Sequence, residues 1–176
     1  MKRATWAILA VLTALWIGGA VAAENEVMRY VRVEHQGATF YGLLEGETIH
    51  RLAGGLFDPP ERTGMSVALS DVTLLPPSEP TKVLAVGLNF RSHAGDSGAA
   101  HPELFAKLPS AMVGHDAPIH LPPGAGNPHY EGELVVVIGK RAKNVSVADA
   151  PAYVFGVTAG NDVSERGWQT SAPPSF

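Results

Sequence analysis

Two glutamates stand directly before an apolar run in the stretch Tyr130-Glu131-Gly132-Glu133-Leu134-Val135-Val136-Val137-Ile138-Gly139. An unbroken run of β-branched apolar residues predicts a buried strand. Because side chains two residues apart on a strand point to the same face, we expect Glu131 and Glu133 side by side at the mouth of a sheet. This pattern alone favours a polar strand end whose carboxylates face water. The alternative is a hard-cation site, since a cation would offset the repulsion between two buried carboxylates.

The N-terminus has the pattern of a secretory signal peptide. A basic start, Met1-Lys2-Arg3, precedes an apolar segment from Trp6 to Ile17 and a run of small residues that ends at Ala23. This pattern predicts a signal peptide over residues 1–23 and therefore a secreted or periplasmic protein that is free of the membrane after cleavage. The alternative is an uncleaved membrane anchor, for which the apolar segment is short.

The hydrophobic content, net charge and cysteine count of the chain limit the class of protein that it can be. The chain has 176 residues, of which 45% are hydrophobic, and it carries a formal charge of −4. This hydrophobic content predicts a folded chain rather than a disordered one. The acidic balance, without a basic cluster, argues against nucleic-acid binding. The chain has no cysteine, which fits an oxidising compartment without proving one.

The residues after the predicted signal divide into two parts. Residues 24–75 are expected to form a small N-terminal accessory β-domain, because alternating segments at 28–33, 39–44 and 48–52 predict an antiparallel meander. Gly and Pro pairs predict loops over residues 53–65. The Pro-rich residues 76–81 form a predicted linker, and residues 82–176 form the second domain.

The second domain also contains predicted strands. They are expected at residues 82–87, 104–107, 131–138 and 153–158, and the last of these leads to Asn161 and Asp162 at a strand end. Ser146 and Asp149 have the spacing of a capping box, which predicts a short helix limited by Pro151.

Over about residues 82–169 the chain resembles the fumarylacetoacetate hydrolase family. The resemblance rests on the order and spacing of four motifs, which are Val86-Gly87-Leu88-Asn89-Phe90-Arg91-Ser92-His93-Ala94, Pro109-Ser110-Ala111, Tyr130-Glu131-Gly132-Glu133-Leu134 and Asn161-Asp162-Val163-Ser164-Glu165-Arg166. It implies a mainly β (α+β) fold, with a catalytic domain that is a mixed β-sandwich or roll, and a homodimer. Family members continue beyond the Asp162 motif, so we expect this catalytic domain to be partial.

The resemblance also implies a metal site. Glu131, Glu133 and Asp162 match the three metal-binding carboxylates of the family, which would hold Mg²⁺ or Mn²⁺, with Ca²⁺ as a further candidate. All-oxygen ligand sets suit these hard cations better than Zn²⁺. With three acids in register with the family motifs, the metal site replaces the solvated strand end as the favoured interpretation.

Further residues match positions around the family's reaction centre. His93 matches the catalytic base, and Asp96 would orient it from the position where many relatives have Glu. Lys107, Ser110, Arg166 and Gln169 match or flank the substrate pocket, and a helix starting after Asp162 would place Asp162, Arg166 and Gln169 on one face. The alternatives are a polar loop histidine, a surface lysine, a capping serine and a solvated arginine.

The resemblance implies a metal-dependent hydrolase that cleaves a C–C bond in a 2-oxo acid of the acylpyruvate type. A metal-bound 2-oxo acid would release an enolate, which the cation stabilises. Two alternatives stay open. One is a decarboxylase or isomerase of 2-oxo diacids, which shares the same enolate. The other is an inactive partial paralogue that only binds a divalent metal.

Overall fold

A computed structural model describes residues 27–95 and 100–171, and the chain is mainly β, as predicted. The predicted signal peptide and Asp96 lie outside the described residues. The N-terminal part is a five-stranded sheet with the order β4-β3-β2-β1-β5. Its strands are β1 (Tyr30–His35), β2 (Ala38–Glu45), β3 (Thr48–Leu52), β4 (Arg62–Ala68) and β5 (Thr73–Leu74).

The meander follows from two tight turns. His35 pairs with Ala38 across a two-residue turn in which Gln36 and Gly37 have φ angles of 51° and 81°. Positive φ at both central residues is the conformation that matches the right-handed twist of paired strands. A second turn between β2 and β3 has Gly46 at φ 57°. The predicted antiparallel meander is confirmed.

The prediction of loops over residues 53–65 was wrong in part, because β4 begins at Arg62. This strand pairs with β3 alone, from Thr48 opposite Ala68 to Leu52 opposite Arg62, and most of its side chains are exposed. An edge strand with one partner and exposed side chains needs no apolar alternation, and residues 62–64, where the strand begins, show none.

The N-terminal sheet holds the core of the described chain. Val33 and Ile49 are fully buried, and Phe40 is nearly so. Tyr30 and Phe57 extend this apolar region toward the second part of the chain, because each packs edge-to-face against Phe155 with ring centroids 5.1 Å apart.

The second part consists of three antiparallel strand pairs. They are β6 (Val83–Gly87) with β7 (Glu103–Lys107), β8 (Pro128–His129) with β11 (Ser164–Glu165), and β9 (Gly132–Ile138) with β10 (Val154–Asn161). Two short α-helices accompany them, α1 (Arg91–Ala94) and α2 (Arg166–Ser171). Short 3-10 helices cover Leu69–Asp71, Pro109–Ala111 and Ala150–Tyr153. Residues 75–82 lie outside regular structure, and the predicted domain bounds stay a prediction.

The strand at residues 132–138 is confirmed, but the prediction that it is buried was wrong. Leu134 is 70% exposed and Ile138 is 53% exposed. Among the described residues β9 pairs only with β10, and most of its apolar side chains stay exposed. A β-branched run reports the propensity for a strand, whereas burial depends on which element packs against it.

The predicted capping box forms, but no α-helix follows it. The Ser146 Oγ accepts a hydrogen bond from the Asp149 backbone N–H at 3.2 Å and donates one to Asp149 Oδ2 at 2.7 Å. The chain continues as the 3-10 helix Ala150–Tyr153, whose first turn contains Pro151. The proline lacks the N–H that would continue an α-helix from Ser146.

In the described part of the chain, no helix is both long enough and apolar enough to cross a membrane.

Candidate functional site

The antiparallel pair β9–β10 brings the predicted acids together at one end. Gly132 lies opposite Asn161, and Glu133 lies opposite Gly160. Glu131 therefore precedes one strand at the point where Asp162 follows the other. The Asp162 backbone N–H donates to the Glu131 carbonyl at 2.9 Å. This pairing fixes both carboxylate-bearing residues beside each other.

Glycine at position 160 leaves room at this strand end. A Cβ atom there would lie 2.8 Å from Val135 Cγ2 and 4.0 Å from Glu133 Cβ. Since real Cβ atoms essentially never approach within 3.0 Å of another heavy atom, any side chain at this position would displace its neighbours.

Each of two acids lies against a cationic side chain. Arg166 forms an ion pair with Glu131, and Lys107 forms one with Asp162. All four side chains are half-buried. Lys107 ends β7, so this ion pair links the β6–β7 pair to the end of β10. The structure therefore places Lys107 and Arg166 beside two of the acids, and their contact with a substrate stays a prediction.

Arg166 is also held by Gln169, because its Nη1 donates to Gln169 Oε1 at 2.7 Å. The prediction of a single helix face for Asp162, Arg166 and Gln169 was wrong, since α2 begins only at Arg166. Ser164 and Glu165 are extended and pair with β8. Three residues thus separate Asp162 from the helix, and Arg166 pairs with Glu131.

Three residues that support the site were not predicted from the sequence. Asn161 Oδ1 accepts from the Glu131 backbone N–H at 3.0 Å, and the Ser164 hydroxyl donates to Glu131 Oε2 at 3.4 Å. Glu165 accepts from the backbone N–H groups of Asn127 and Gly167, which fixes the chain at the start of α2. These residues lie inside the Asn161–Arg166 motif, so the motif itself was the available signal.

An open cleft of about 290 Å³ lies beside Glu131 and Glu133, whereas Asp162 is not part of its lining. It is lined by Phe90, Ser92, His129, Tyr130, Glu131, Gly132, Glu133 and Arg166. His93 follows Ser92 in α1, so the backbone brings the predicted base to the same region. Its contact with Asp96, which lies outside the described residues, stays a prediction. Within the described chain, Ser110 lies on the 3-10 helix Pro109–Ala111 and is not part of this lining.

The donor chemistry fits a hard divalent cation. Glu131, Glu133 and Asp162 offer carboxylate oxygens from neighbouring strand ends, which Mg²⁺ and Mn²⁺ prefer. The side chains do not converge, however: over residues 27–95 and 100–171, no group of three or more His, Asp or Glu side chains is arranged to hold a metal. Arg166 and Lys107 engage two of the three carboxylates instead.

Comparison with known proteins identifies the class. The sequence model of the family described as fumarylacetoacetate (FAA) hydrolase C-terminal matches residues 82–176, and one described as Rv2993c-like, N-terminal matches residues 28–77. The chain belongs to the fumarylacetoacetate hydrolase family.

Two curated relatives illustrate the range of similarity. Protein Rv2993c of Mycobacterium tuberculosis is 38% identical over 154 residues, which is 82% of this chain and 58% of the relative. Oxaloacetate tautomerase FAHD2A of Bos taurus is 43% identical over 104 residues, which is 57% of this chain and 33% of the relative. The chain thus spans between a third and three fifths of these relatives.

Solved structures share the fold. The 2-hydroxyhepta-2,4-diene-1,7-dioate isomerase from Mycobacterium marinum is 39% identical with a TM-score of 0.74, covering 82% of this chain and 57% of that one. The maleylpyruvate hydrolase from Sphingobium sp. SYK-6, solved with manganese (II) and pyruvate, is 24% identical with a TM-score of 0.63, covering 80% of this chain and 60% of that one, and supports the fold alone. Both agree with the fold predicted from the motifs.

Proposed function

We propose that this chain carries the carboxylate site of a metal-dependent enzyme that acts on 2-oxo acids through an enolate. The observation that carries the proposal is the position of Glu131, Glu133 and Asp162 at one end of β9–β10, where two cationic side chains and an open cleft lie beside them. Oxygen ligands suit the cation, and the cationic side chains suit an anionic substrate.

The leading reaction is keto–enol isomerisation of a 2-oxo diacid. A relative with 43% identity is named an oxaloacetate tautomerase, and a structure with 39% identity is named a diene-dioate isomerase. Isomerisation needs only proton transfer next to a stabilised enolate, so it demands the least from the site. C–C hydrolysis, which the family resemblance favours, is the second candidate because the family itself is described as a hydrolase.

The roles of the residues follow from their positions. Glu131, Glu133 and Asp162 would hold the divalent ion, which when bound would polarise the 2-oxo group. Arg166 and Lys107 carry the positive charge available to a substrate carboxylate. Asn161 and Ser164 hold Glu131 in place through its backbone N–H and its carboxylate. His93, which follows the cleft-lining Ser92 in α1, is the residue proposed to hold a proton.

The test follows two substrates in parallel. Loss of the enol absorbance of oxaloacetate without formation of pyruvate reports isomerisation, and release of acetate and pyruvate from acetylpyruvate reports hydrolysis. We expect Mn²⁺-dependent conversion of oxaloacetate that Glu131→Gln abolishes, with Glu103→Gln in β7 as a charge-matched control. If neither substrate turns over while Mn²⁺ binds through Glu131, the chain is a binding protein only, which is the remaining alternative.

A further inference from the structure

We infer that Phe155 is a positioning residue whose packing on the N-terminal sheet fixes the register of the β9–β10 pair. Through that register it sets which residue of β10 lies against the strand end at Glu131. The inference goes beyond the proposed function, because it concerns how the N-terminal sheet holds a strand pair of the second part and requires no bound ion or substrate. Its starting point is a β-bulge in β10.

Phe155 is the extra residue of this bulge. Val154 lies opposite Ile138. The next residue back along β9, Val137, lies opposite Gly156, so Phe155 has no partner residue. A bulge of this kind re-aims a side chain and shifts the alternation of the strand by one residue. Burial along β10 follows the shift, because Val154 and Phe155 are both exposed before exposure begins to alternate.

The facing strand leaves space for this conformation. A Cβ atom at Gly139 would lie 2.8 Å from Phe155 Cβ and 3.5 Å from Phe155 Cδ2. The Gly139 backbone N–H donates to the Tyr153 carbonyl at 2.9 Å, so backbone pairing continues past the bulge. Glycine at position 139 therefore provides space, because a side chain there would press on Phe155.

The bulge decides which residues meet at the other end of the strand pair. If Phe155 entered the ladder opposite Val137 while the preceding pair stayed in place, every later residue of β10 would move by one position. Asn161 would then lie opposite Glu131 instead of Gly132. The side chains of that stretch would also change faces, because strand side chains alternate with period two. The geometry of the candidate site thus requires Phe155 to stay outside the ladder.

Two aromatic rings of the N-terminal part hold Phe155 in that position. Tyr30 begins β1 and Phe57 lies in the loop between β3 and β4, and each ring centroid is 5.1 Å from that of Phe155. Edge-to-face pairs stabilise beyond the area that they bury. The loop is itself held, since Asp58 Oδ2 accepts from the Gly55 backbone N–H at 2.8 Å. Entry into the ladder would re-aim the Phe155 side chain and lose both ring contacts.

Disulfide crosslinking can measure the register, because the chain has no cysteine of its own. Val136→Cys with Val157→Cys reports the observed register, in which these residues are opposite. Val136→Cys with Gly156→Cys reports the shifted register, because in the observed one these side chains point to opposite faces. Val136 and Val157 are exposed, and a Cβ atom at Gly156 meets nothing within 4 Å. Oxidation of the full chain and peptide mass spectrometry quantify each crosslink.

Phe155→Ala should raise the yield of the shifted crosslink relative to the observed one by about tenfold or more, since each edge-to-face pair is worth about fivefold in an equilibrium. Tyr30→Ala combined with Phe57→Ala should act in the same direction, whereas Phe155→Tyr, which keeps a ring, should retain the observed crosslink. Phe105→Ala is the matched control. Phe105 is an aromatic residue of β7 that is 43% exposed, against 38% for Phe155, and its loss should not change the register.

Deletion of Phe155 separates an effect on register from an effect on stability. The deletion removes the extra residue together with its ring, so Val154 and Gly156 become neighbours and can keep their observed partners without a bulge. We expect the observed crosslink in the deletion variant, although both ring contacts are lost. A merely structural role predicts the opposite order, with the deletion more disruptive than Phe155→Ala.

Two results would overturn the inference directly. One is the observed crosslink alone in Phe155→Ala, and the other is a shifted crosslink in Phe105→Ala. If Phe155→Ala forms neither crosslink, the deletion variant decides, because the observed crosslink there supports the inference and its absence overturns it. No ion or substrate enters these measurements, so their failure leaves the proposed function standing.

Discussion

The side-chain carbonyl oxygen of Asn161 accepts a hydrogen bond from the backbone N–H of Glu131 at 3.0 Å. It joins the last residue of β10 to the residue that precedes β9. Together with the backbone bond from Asp162 to Glu131, it locks the relative position of two carboxylate-bearing residues that are 31 positions apart. The amide side chain therefore works as a clamp on the site.

Asn161→Ala is expected to weaken Mn²⁺ binding by about fivefold, the equivalent of one hydrogen bond of about 1 kcal/mol. Without the amide oxygen, the Glu131 backbone N–H loses its hydrogen-bond acceptor, so the position of the Glu131 backbone and of its carboxylate is less fixed. Thr158→Val on the same strand is the control, since Thr158 only contacts the carbonyl of Ala159. Mn²⁺ titration of both variants checks the prediction, and equal affinities would contradict it.

Gly42→Ala is expected to destabilise the N-terminal sheet. A Cβ atom at this position would lie 2.4 Å from Ile49 Cγ2 and 3.1 Å from the His50 carbonyl oxygen. Ile49 is fully buried, so its methyl group has no free space to enter, and overpacking of this kind costs about 1–3 kcal/mol. Chemical denaturation followed by circular dichroism should show a lower midpoint. Gly156→Ala, with open space around its Cβ, should leave the midpoint unchanged.

Glu45 makes the sheet sensitive to acid. A side-chain hydrogen bond from Arg62 is the main cause that holds the pKa of Glu45 below its ordinary value of 4.5. A carboxylate whose pKa is lowered by folding contributes stability above its unfolded pKa, and that stability is lost as the pH falls through the folded pKa. Arg62→Gln removes this contribution, and because Glu45 is exposed, we expect a small effect.

Thermal melts of the wild type and Arg62→Gln, at pH 7 and at about pH 3, check this assignment. The difference between the two melting temperatures should be largest at neutral pH and should shrink in acid as Glu45 becomes protonated. Arg29→Gln is the charge-matched control from the same part of the chain. A difference that grows in acid would show that another group governs the pH dependence.

The sequence predicted the elements that depend on local pattern. Apolar or alternating runs predicted most strands of the meander. The same kind of run predicted β6, β7, β9 and β10 in the second part of the chain. The site depended on longer relationships. Lys107 and Asp162 are 55 positions apart, and only the antiparallel register and the end of β7 bring them together. No periodicity encodes such a contact, and the family resemblance placed Lys107 only near the substrate pocket.

The start of β4 and the start of α2 were not predicted, because both depend on pairing with distant strands. The edge strand β4 forms because β3 offers it a free row of backbone groups, although it begins with Arg62 and contains Gly64. The start of α2 is delayed to Arg166 because Ser164 and Glu165 pair with β8. In both places tertiary pairing decides a conformation that propensity leaves undecided.

The exposed apolar faces of β9 and β10 have a consequence for the thermodynamics of unfolding. Leu134 and Val157 keep 70% and 64% of their surface in contact with solvent in the folded chain. Separating these strands therefore hydrates little new apolar surface. The heat-capacity change and the denaturant m-value both scale with newly exposed area, so they should be small for a chain of this length. The heat-capacity change that calorimetry measures for this protein would come mainly from the sheet that buries Val33 and Ile49.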